Sequence, residues 1–289
     1  MKDGELTVDQ QPSFHQRAYE LGGGADLELG RRTLIMGILN ATPDSFSDGG
    51  RYTNVDAAVT HAIAMVEDGA DILDIGGEST RPGFEPVETK EELRRILPVI
   101  HAVRKALPHI PLSIDTYKAE TARQALEAGA HIINDIWGLK GDPNMAAVAA
   151  EYGCPVIINH NRHERDYNDL VPDVLADLQS SVSIARTAGI AEDLIWLDPG
   201  IGFAKTYEDN LELLARLSEL TALGYPVLLG TSRKRFIKQT LNLPVEELVE
   251  GTAATVALGI AHGCQIMRVH DVHSIKRTAL MMDAILYRS

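Results

Sequence analysis

With 289 residues, 45% of them hydrophobic and 24% charged, the chain has the composition of a folded globular protein and lies far from the disordered regime. Its net charge of −14 and pI near 5.1 set most of the surface against polyanions, which excludes nucleic acid as a main partner and admits a small anionic ligand only where a few cations are focused. Cys154 and Cys264 are too few for a disulfide framework or a thiolate metal site, so a reducing cytoplasm is the expected compartment.

Residues 1–30 mix acids with Gln11, His15 and a Gly22-Gly23-Gly24 run, and show no basic stretch leading into an apolar core. They read as an N-terminal extension without an export signal. From 31 to 289, short β-branched runs alternate with longer stretches of helical periodicity. The predicted strands are 34–39, 71–75, 112–114, 131–133, 155–158, 194–197, 226–229 and 265–269. Between the first two, 55–68 puts Ala57, Ala58, His61, Ala62, Met65 and Val66 on one side of a helix, and 119–128 is rich in strong helix formers. Gly69, Gly129, Gly153 and Gly263 end such stretches, as a left-handed helix stop does. No apolar run approaches the ~18 residues of a membrane span.

Eight strand–helix units can close into a barrel or lie open as a doubly wound sheet, and periodicity alone does not choose. The count of eight, and a span close to the ~250 residues usual for closure, favour an α/β single-domain (β/α)8 TIM barrel preceded by the extension.

In a parallel barrel the site lies at the carboxyl ends of the strands. The residues there are Asn40, Gly76-Gly77-Glu78, Asp115, Asn134-Asp135, Asn159-His160, Asp198, Gly230-Thr231-Ser232 and His270. Helix N-caps also favour Asp, Asn and Ser, so each residue alone has a structural reading. Together, Asp115, Asn134 and Asp198 suit a flat heterocycle with amidine-like N–H edges, whose carbonyl Lys234 would meet unless that lysine is merely solvated. Arg268 and His270, with Arg81 on the loop after the second strand, form a candidate anion site. Arg268 alternates with Met267 and Val269, so its side chain points inward or outward according to strand phase, and pairing with a nearby acid is its alternative role. The long loops 40–50 and 76–83 are candidate lids. Phe46 and Phe203 either sandwich an aromatic ring or pack beneath their loops.

The segments Ile38-Leu39-Asn40-Ala41-Thr42-Pro43-Asp44-Ser45-Phe46-Ser47-Asp48-Gly49-Gly50 and Asp74-Ile75-Gly76-Gly77-Glu78-Ser79-Thr80-Arg81-Pro82-Gly83 closely resemble the two signature loops of the dihydropteroate synthases. Ser113-Ile114-Asp115-Thr116, Ile133-Asn134-Asp135, 197–203, Ser232-Arg233-Lys234 and Arg268-Val269-His270 are similar to the same family, in order from Leu34 onward. The resemblance implies a transferase of folate biosynthesis and sulfonamide target. It would join 6-hydroxymethyl-7,8-dihydropterin pyrophosphate to p-aminobenzoate by pyrophosphate loss followed by arylamine attack. It further implies that Asp115, Asn134, Asp198 and Lys234 hold the pterin, that Asn40 binds Mg2+ and pyrophosphate, and that Arg268 and His270 anchor pyrophosphate with Arg81. Thr80, Arg81 and Pro82 would form the p-aminobenzoate pocket with Phe46, Phe203 and Lys234. Lys234, Arg268, His270 and Asn40 would carry catalysis, in a homodimer built from barrel helices.

Three positions depart from that pattern. Ala41 stands where Val is common, and Asn159 where Met is common, which implies looser packing on the pterin face. Arg235 replaces a Ser found in many relatives and would meet the p-aminobenzoate carboxylate, with a consequence for inhibitor response. Two other readings remain open at the level of sequence. A methyltetrahydrofolate:corrinoid methyltransferase shares the ring-binding residues but has no use for a pyrophosphate cage. A non-catalytic pterin-binding protein has no need of an intact first loop.

Overall fold

The computed structural model describes residues 14–41, 51–78 and 86–287, the side chains of 51–54 excepted. A hairpin comes first, β1 (Arg17–Glu20) pairing antiparallel with β2 (Asp26–Leu29). Eight parallel strands follow: β3 (Leu34–Asn40), β4 (Ile72–Gly76), β5 (Leu112–Asp115), β6 (Ile132–Asp135), β7 (Val156–Asn159), β8 (Ile195–Asp198), β9 (Leu228–Leu229) and β10 (Ile266–Val269). They run in the order β8-β7-β6-β5-β4-β3-β10-β9. A parallel bridge between Leu197 and Val227, with the Leu197 amide donating to the Pro226 carbonyl at 2.9 Å, joins the two ends and closes the barrel.

Helices cover the outside. They are α1 (Arg51–Glu67), α2 (Thr89–Ala106), α3 (Ala119–Glu127), α4 (Met145–Tyr152), α5 (Leu170–Thr187), α6 (Tyr207–Ala215), α7 (Leu217–Thr221), α8 (Arg235–Leu241), α9 (Val249–Ala261) and α10 (Val272–Leu286). Among the described residues no helix is long and apolar enough to cross a membrane. In α1, Ala58, Ala62 and Met65 are buried as the spacing requires, whereas His61 sits on the exposed edge of that stripe.

The eight predicted strands correspond to the eight observed, with two informative differences. The seventh shrinks to Leu228–Leu229, because Pro226 has no N–H to contribute to a ladder and only its carbonyl is used. Most of the others run on, so that Asn40, Gly76, Asp115, Asp135, Asn159 and Asp198, expected just beyond the strands, are their last residues. A polar side chain there hangs on a hydrogen-bonded ladder rather than on a loop.

Two apolar clusters hold the fold. The larger lies between the barrel's outer face and the helices and includes Ile35, Leu39, Leu73, Ile75, Ile114, Ile133, Ile158, Leu197, Met267 and Val269. The smaller fills the barrel floor: Leu34, Met36, Ile72, Ile132, Ile157, Trp196, Leu228 and Ile266 close on Tyr19, Leu27 and Leu29 of the hairpin. The hairpin is thus the floor's lower lid. Tyr19 meets Trp196 edge-on at 5.5 Å between ring centroids, accepts the indole N–H at 3.1 Å and donates its hydroxyl to the Asp193 carbonyl at 2.8 Å. Gln265 ties the entering strand by pairing its amide with both backbone groups of His15. Tyr19→Ala removes a side chain that is 6% exposed together with a buried hydrogen bond, and should cost about 3 kcal/mol of stability. A lower urea midpoint followed through Trp196 fluorescence checks this.

Candidate active site

Strand alternation decides what faces the interior. On five strands an apolar floor residue is followed two positions later by a polar one: Ile72 by Asp74, Ile132 by Asn134, Ile157 by Asn159, Trp196 by Asp198 and Ile266 by Arg268. The residues between them, Leu73, Ile133, Ile158, Leu197 and Met267, pack under the helices. The barrel interior therefore passes in one step from a dry floor to a charged cup. Arg268, whose phase was open in the sequence, points inward.

Arg268 spans this cup. Its Nε donates to Asp74 Oδ2 and its Nη2 to Asp115 Oδ2, each at 2.6 Å, and Asn134 Nδ2 donates to the same Asp74 oxygen at 3.1 Å. Burial works against the guanidinium charge, yet Asp74 and Asp115 outweigh it and hold Arg268 above its usual range. Burial likewise pushes the Asp115 carboxyl up while Arg268 pulls it back. Asp198, on the opposite wall, is pushed up by burial and accepts from the Gly200 amide at 2.7 Å.

Lys234 closes the cup from above. Its Nζ donates to the Ile201 carbonyl at 2.5 Å and lies 4.5 Å from the centre of the Phe203 ring. Burial pushes this ammonium down to about 8, with Asp198 opposing. The chain reaches this position through Arg233, a non-glycine residue at φ +57°, a conformation costing about 1–2 kcal/mol. A two-point ion pair to Asp271, at 3.0 and 2.5 Å, holds it there.

The turn at 200–203 is pinned from several sides. Gly202 donates to Asn210 Oδ1 at 2.6 Å, and Lys205 Nζ bonds the Gly200 carbonyl at 3.0 Å, the Phe203 carbonyl at 3.1 Å and His160 Nδ1 at 2.9 Å. Because His160 Nε2 faces Asp177 Oδ2 at 3.0 Å, it carries the ring proton and leaves Nδ1 as acceptor. Burial and then the Lys205 charge push His160 down and keep the ring neutral, and burial pushes Lys205 itself down to about 7. Only glycine serves at 200, where φ is +68° and a Cβ would lie 1.8 Å from the His160 carbonyl oxygen.

At the rim, His270 bonds Ser232 Oγ through its backbone amide at 3.1 Å and through Nδ1 at 3.0 Å. Asn40 ends β3, separated from Asp115 by the bare backbone of Gly76: a Cβ there would lie 3.9 Å from Asn40 Oδ1 and 3.6 Å from Asp115 Cβ. Arg235 is exposed in the first turn of α8. The structure thus gathers Asn40, Asp115, Asn134, Asp198, Phe203, Lys234, Arg268 and His270 at one mouth. Phe46, Thr80, Arg81 and Pro82 lie outside the described residues.

Three residues at this mouth escaped the sequence reading. Asp74 sits inside a strand rather than after it, and its signal was a carboxylate between Leu73 and Ile75 in an otherwise apolar run. Lys205 and Arg233 carry no local mark, since their roles arise from the partners that the fold brings to them.

Among the described residues, six buried side-chain polar atoms have no hydrogen-bond partner, and four of them, Asp74 Oδ1, Ser113 Oγ, Asp115 Oδ1 and Asn159 Oδ1, project from inward strand positions of this cup. Buried polar atoms are satisfied in the great majority of cases, so three carboxylate and amide oxygens without donors, beside a hydroxyl that can play either part, mark a place made for a donor-rich ligand. No three His, Cys, Asp or Glu side chains of the described residues assemble into a metal-binding group.

Comparison with known proteins agrees with this geometry. The family of pterin binding enzymes matches residues 36–270. The dihydropteroate synthase of Bacillus subtilis is 58% identical over 97% of this chain and 96% of its own length. The crystal structure of dihydropteroate synthase from Clostridium difficile in the presence of pteroic acid superposes with a TM-score of 0.88 at 50% identity, covering 90% of this chain and 98% of that one. That of Xanthomonas albilineans dihydropteroate synthase with 4-aminobenzoic acid gives 0.89 at 40% identity, covering 95% and 100%. The chain belongs to the pterin-binding enzymes. Within that family it falls among the dihydropteroate synthases.

Proposed function

We propose that this chain condenses 6-hydroxymethyl-7,8-dihydropterin pyrophosphate with p-aminobenzoate, releasing pyrophosphate and forming 7,8-dihydropteroate. The observation that carries the reading is the acceptor-lined cup with the Lys234 ammonium over it. A pterin offers ring and exocyclic N–H donors to Asp115, Asn134 and Asp198, and a carbonyl to Lys234. Asp74 extends that acceptor set and fixes Arg268, whose Nε and Nη2 are spent on carboxylates while Nη1, which has no hydrogen bond among the described residues, would serve the diphosphate beside His270 and Arg81.

In the reaction the bond from the pterin methylene carbon to the diphosphate oxygen breaks and takes its electron pair to the leaving group. The amine nitrogen of p-aminobenzoate then bonds to that carbon and gives up a proton. An arylamine of this kind asks for no strong base. The site's work is to stabilise separated charge, the acceptors facing the cationic pterin and Arg268 facing the departing anion. Mg2+ fits Asn40, whose amide oxygen stands at the rim, since this ion binds through one or two protein oxygens plus phosphate and water. When bound it would neutralise diphosphate charge. Phe203, Lys234 and Arg235, with Phe46, Thr80, Arg81 and Pro82, would form the p-aminobenzoate pocket.

Residues 31–289 would be the catalytic unit and 1–30 an extension whose hairpin seals the floor. Leu258 on α9, with Leu280, Met281 and Ile285 on α10, are exposed apolar residues on adjacent helices, and they support a homodimer. The two buried thiols, Cys154 pushed up by burial to about 12, support a cytoplasmic setting.

Purified protein mixed with the pterin pyrophosphate, Mg2+ and p-aminobenzoate should release pyrophosphate in equal amount with 7,8-dihydropteroate. Absence of product with all three present would refute the reading.

A further inference from the structure

Asn159 is 4% exposed and faces the barrel interior beside Asp198, its partner across the β7–β8 pair. Its Nδ2 donates to the Ile136 carbonyl at 3.4 Å, which sets the orientation of the amide and leaves Oδ1 as the acceptor. Among the described residues that oxygen has no partner, and it lies 3.1 Å from where a Gly200 Cβ would stand, next to the Gly200 amide that Asp198 has already taken. An apolar side chain of similar size would fill this volume with no desolvation, whereas a buried acceptor left unpaired costs about 1–3 kcal/mol. The two flanking strands carry Asn134 and Asp198 at inward positions. Three consecutive strands thus present oxygen acceptors to one stretch of the cup's wall. A group entering there needs more than one N–H, and on a pterin the exocyclic amino group carries two.

We propose that Asn159 is a specificity residue that accepts a hydrogen bond through Oδ1 from the exocyclic amino group of the bound pterin. This rests on the pterin reading of the site and adds a contact to it. The residue orients and selects the ring; it does not touch the reacting methylene.

The test is a cycle between side chain and ligand. Binding of pterin, and of its analogue with hydrogen in place of the amino group, is measured by calorimetry for the wild type, Asn159→Leu and Asn159→Met. Deleting the amino group should weaken binding to the wild type about tenfold more than it weakens binding to either variant. The melting temperatures of the variants should equal or exceed that of the wild type, because the unpaired acceptor is gone. Equal losses in all three proteins overturn the proposal while leaving the pterin reading intact. Failure of the wild type to bind pterin overturns both. Of the two variants, the one that melts with a single cooperative transition is used for the comparison, and Asn159→Gln should restore part of the discrimination.

Discussion

Arg268→Ala is expected to cut turnover about a thousandfold and to weaken binding of the pterin pyrophosphate, as steady-state kinetics and calorimetry would show. The loss has two physical parts. One is the missing donor for the leaving diphosphate. The other is the uncovering of two carboxylates, since Asp74 is fully buried, Asp115 is nearly so, and both are held at 2.6 Å by this guanidinium. Breaking a buried pair from one side costs about 3–5 kcal/mol. The variant's stability should also acquire a characteristic pH dependence. Without Arg268 to oppose it, burial holds the Asp115 carboxyl further above its unfolded value, so the folded state binds more protons than the unfolded one and stability falls as pH rises above the ordinary carboxyl range. Asp115→Asn in the Arg268→Ala background should flatten that slope and recover part of the stability without restoring turnover. A variant whose melting temperature matched the wild type at every pH would contradict the role assigned to this pair.

Lys234→Ala should lower turnover by about two to three orders of magnitude while leaving a cooperatively folded protein. The side chain touches the Ile201 carbonyl and the Phe203 ring and, among the described residues, pairs directly with no carboxylate. Its removal therefore breaks no direct ion pair of the kind that Arg268 makes, although Asp198 loses a nearby positive charge. The wild-type enzyme should lose pterin affinity as pH climbs through about 8, where burial has moved the Lys234 ammonium, because the cation facing the pterin carbonyl is then neutralised. The effect on stability has the opposite sign. Between about 8 and the ordinary lysine value of 10.5, the unfolded chain holds a proton that the folded chain has released, so this residue's contribution makes stability rise with pH. Lys234→Met removes that contribution, and the difference between the two stability-versus-pH curves isolates it. If pterin binding to the variant equalled the wild type near pH 7, the carbonyl contact would be disproved.

Both predictions turn on a feature that the strand-by-strand reading could not supply. Asp115, Asn134, Asp198 and Lys234 were legible as polar residues at predicted strand ends, because a parallel barrel presents those ends at one face. Asp74 was not, since it lies one step deeper, where only the phase of β4 tells inward from outward. Arg268 was legible as a cation, but the two acids that hold it come from β4 and β5, far from it in the chain. The Lys205 and His160 pair and the strained turn at Arg233 are likewise consequences of closure, built from partners that no local pattern announces.

The amino-acid sequence by itself determined the eight alternating units, the order in which they meet, the acidic surface and the identities of most side chains at the mouth, because periodicity and turn chemistry act over a few residues. Tertiary structure decided that the ring closes between Leu197 and Val227, that the N-terminal hairpin seals the floor against Trp196, and which way each strand's polar residue points. Those outcomes depend on register and long-range packing, where a shift of one residue turns every side chain to the other face.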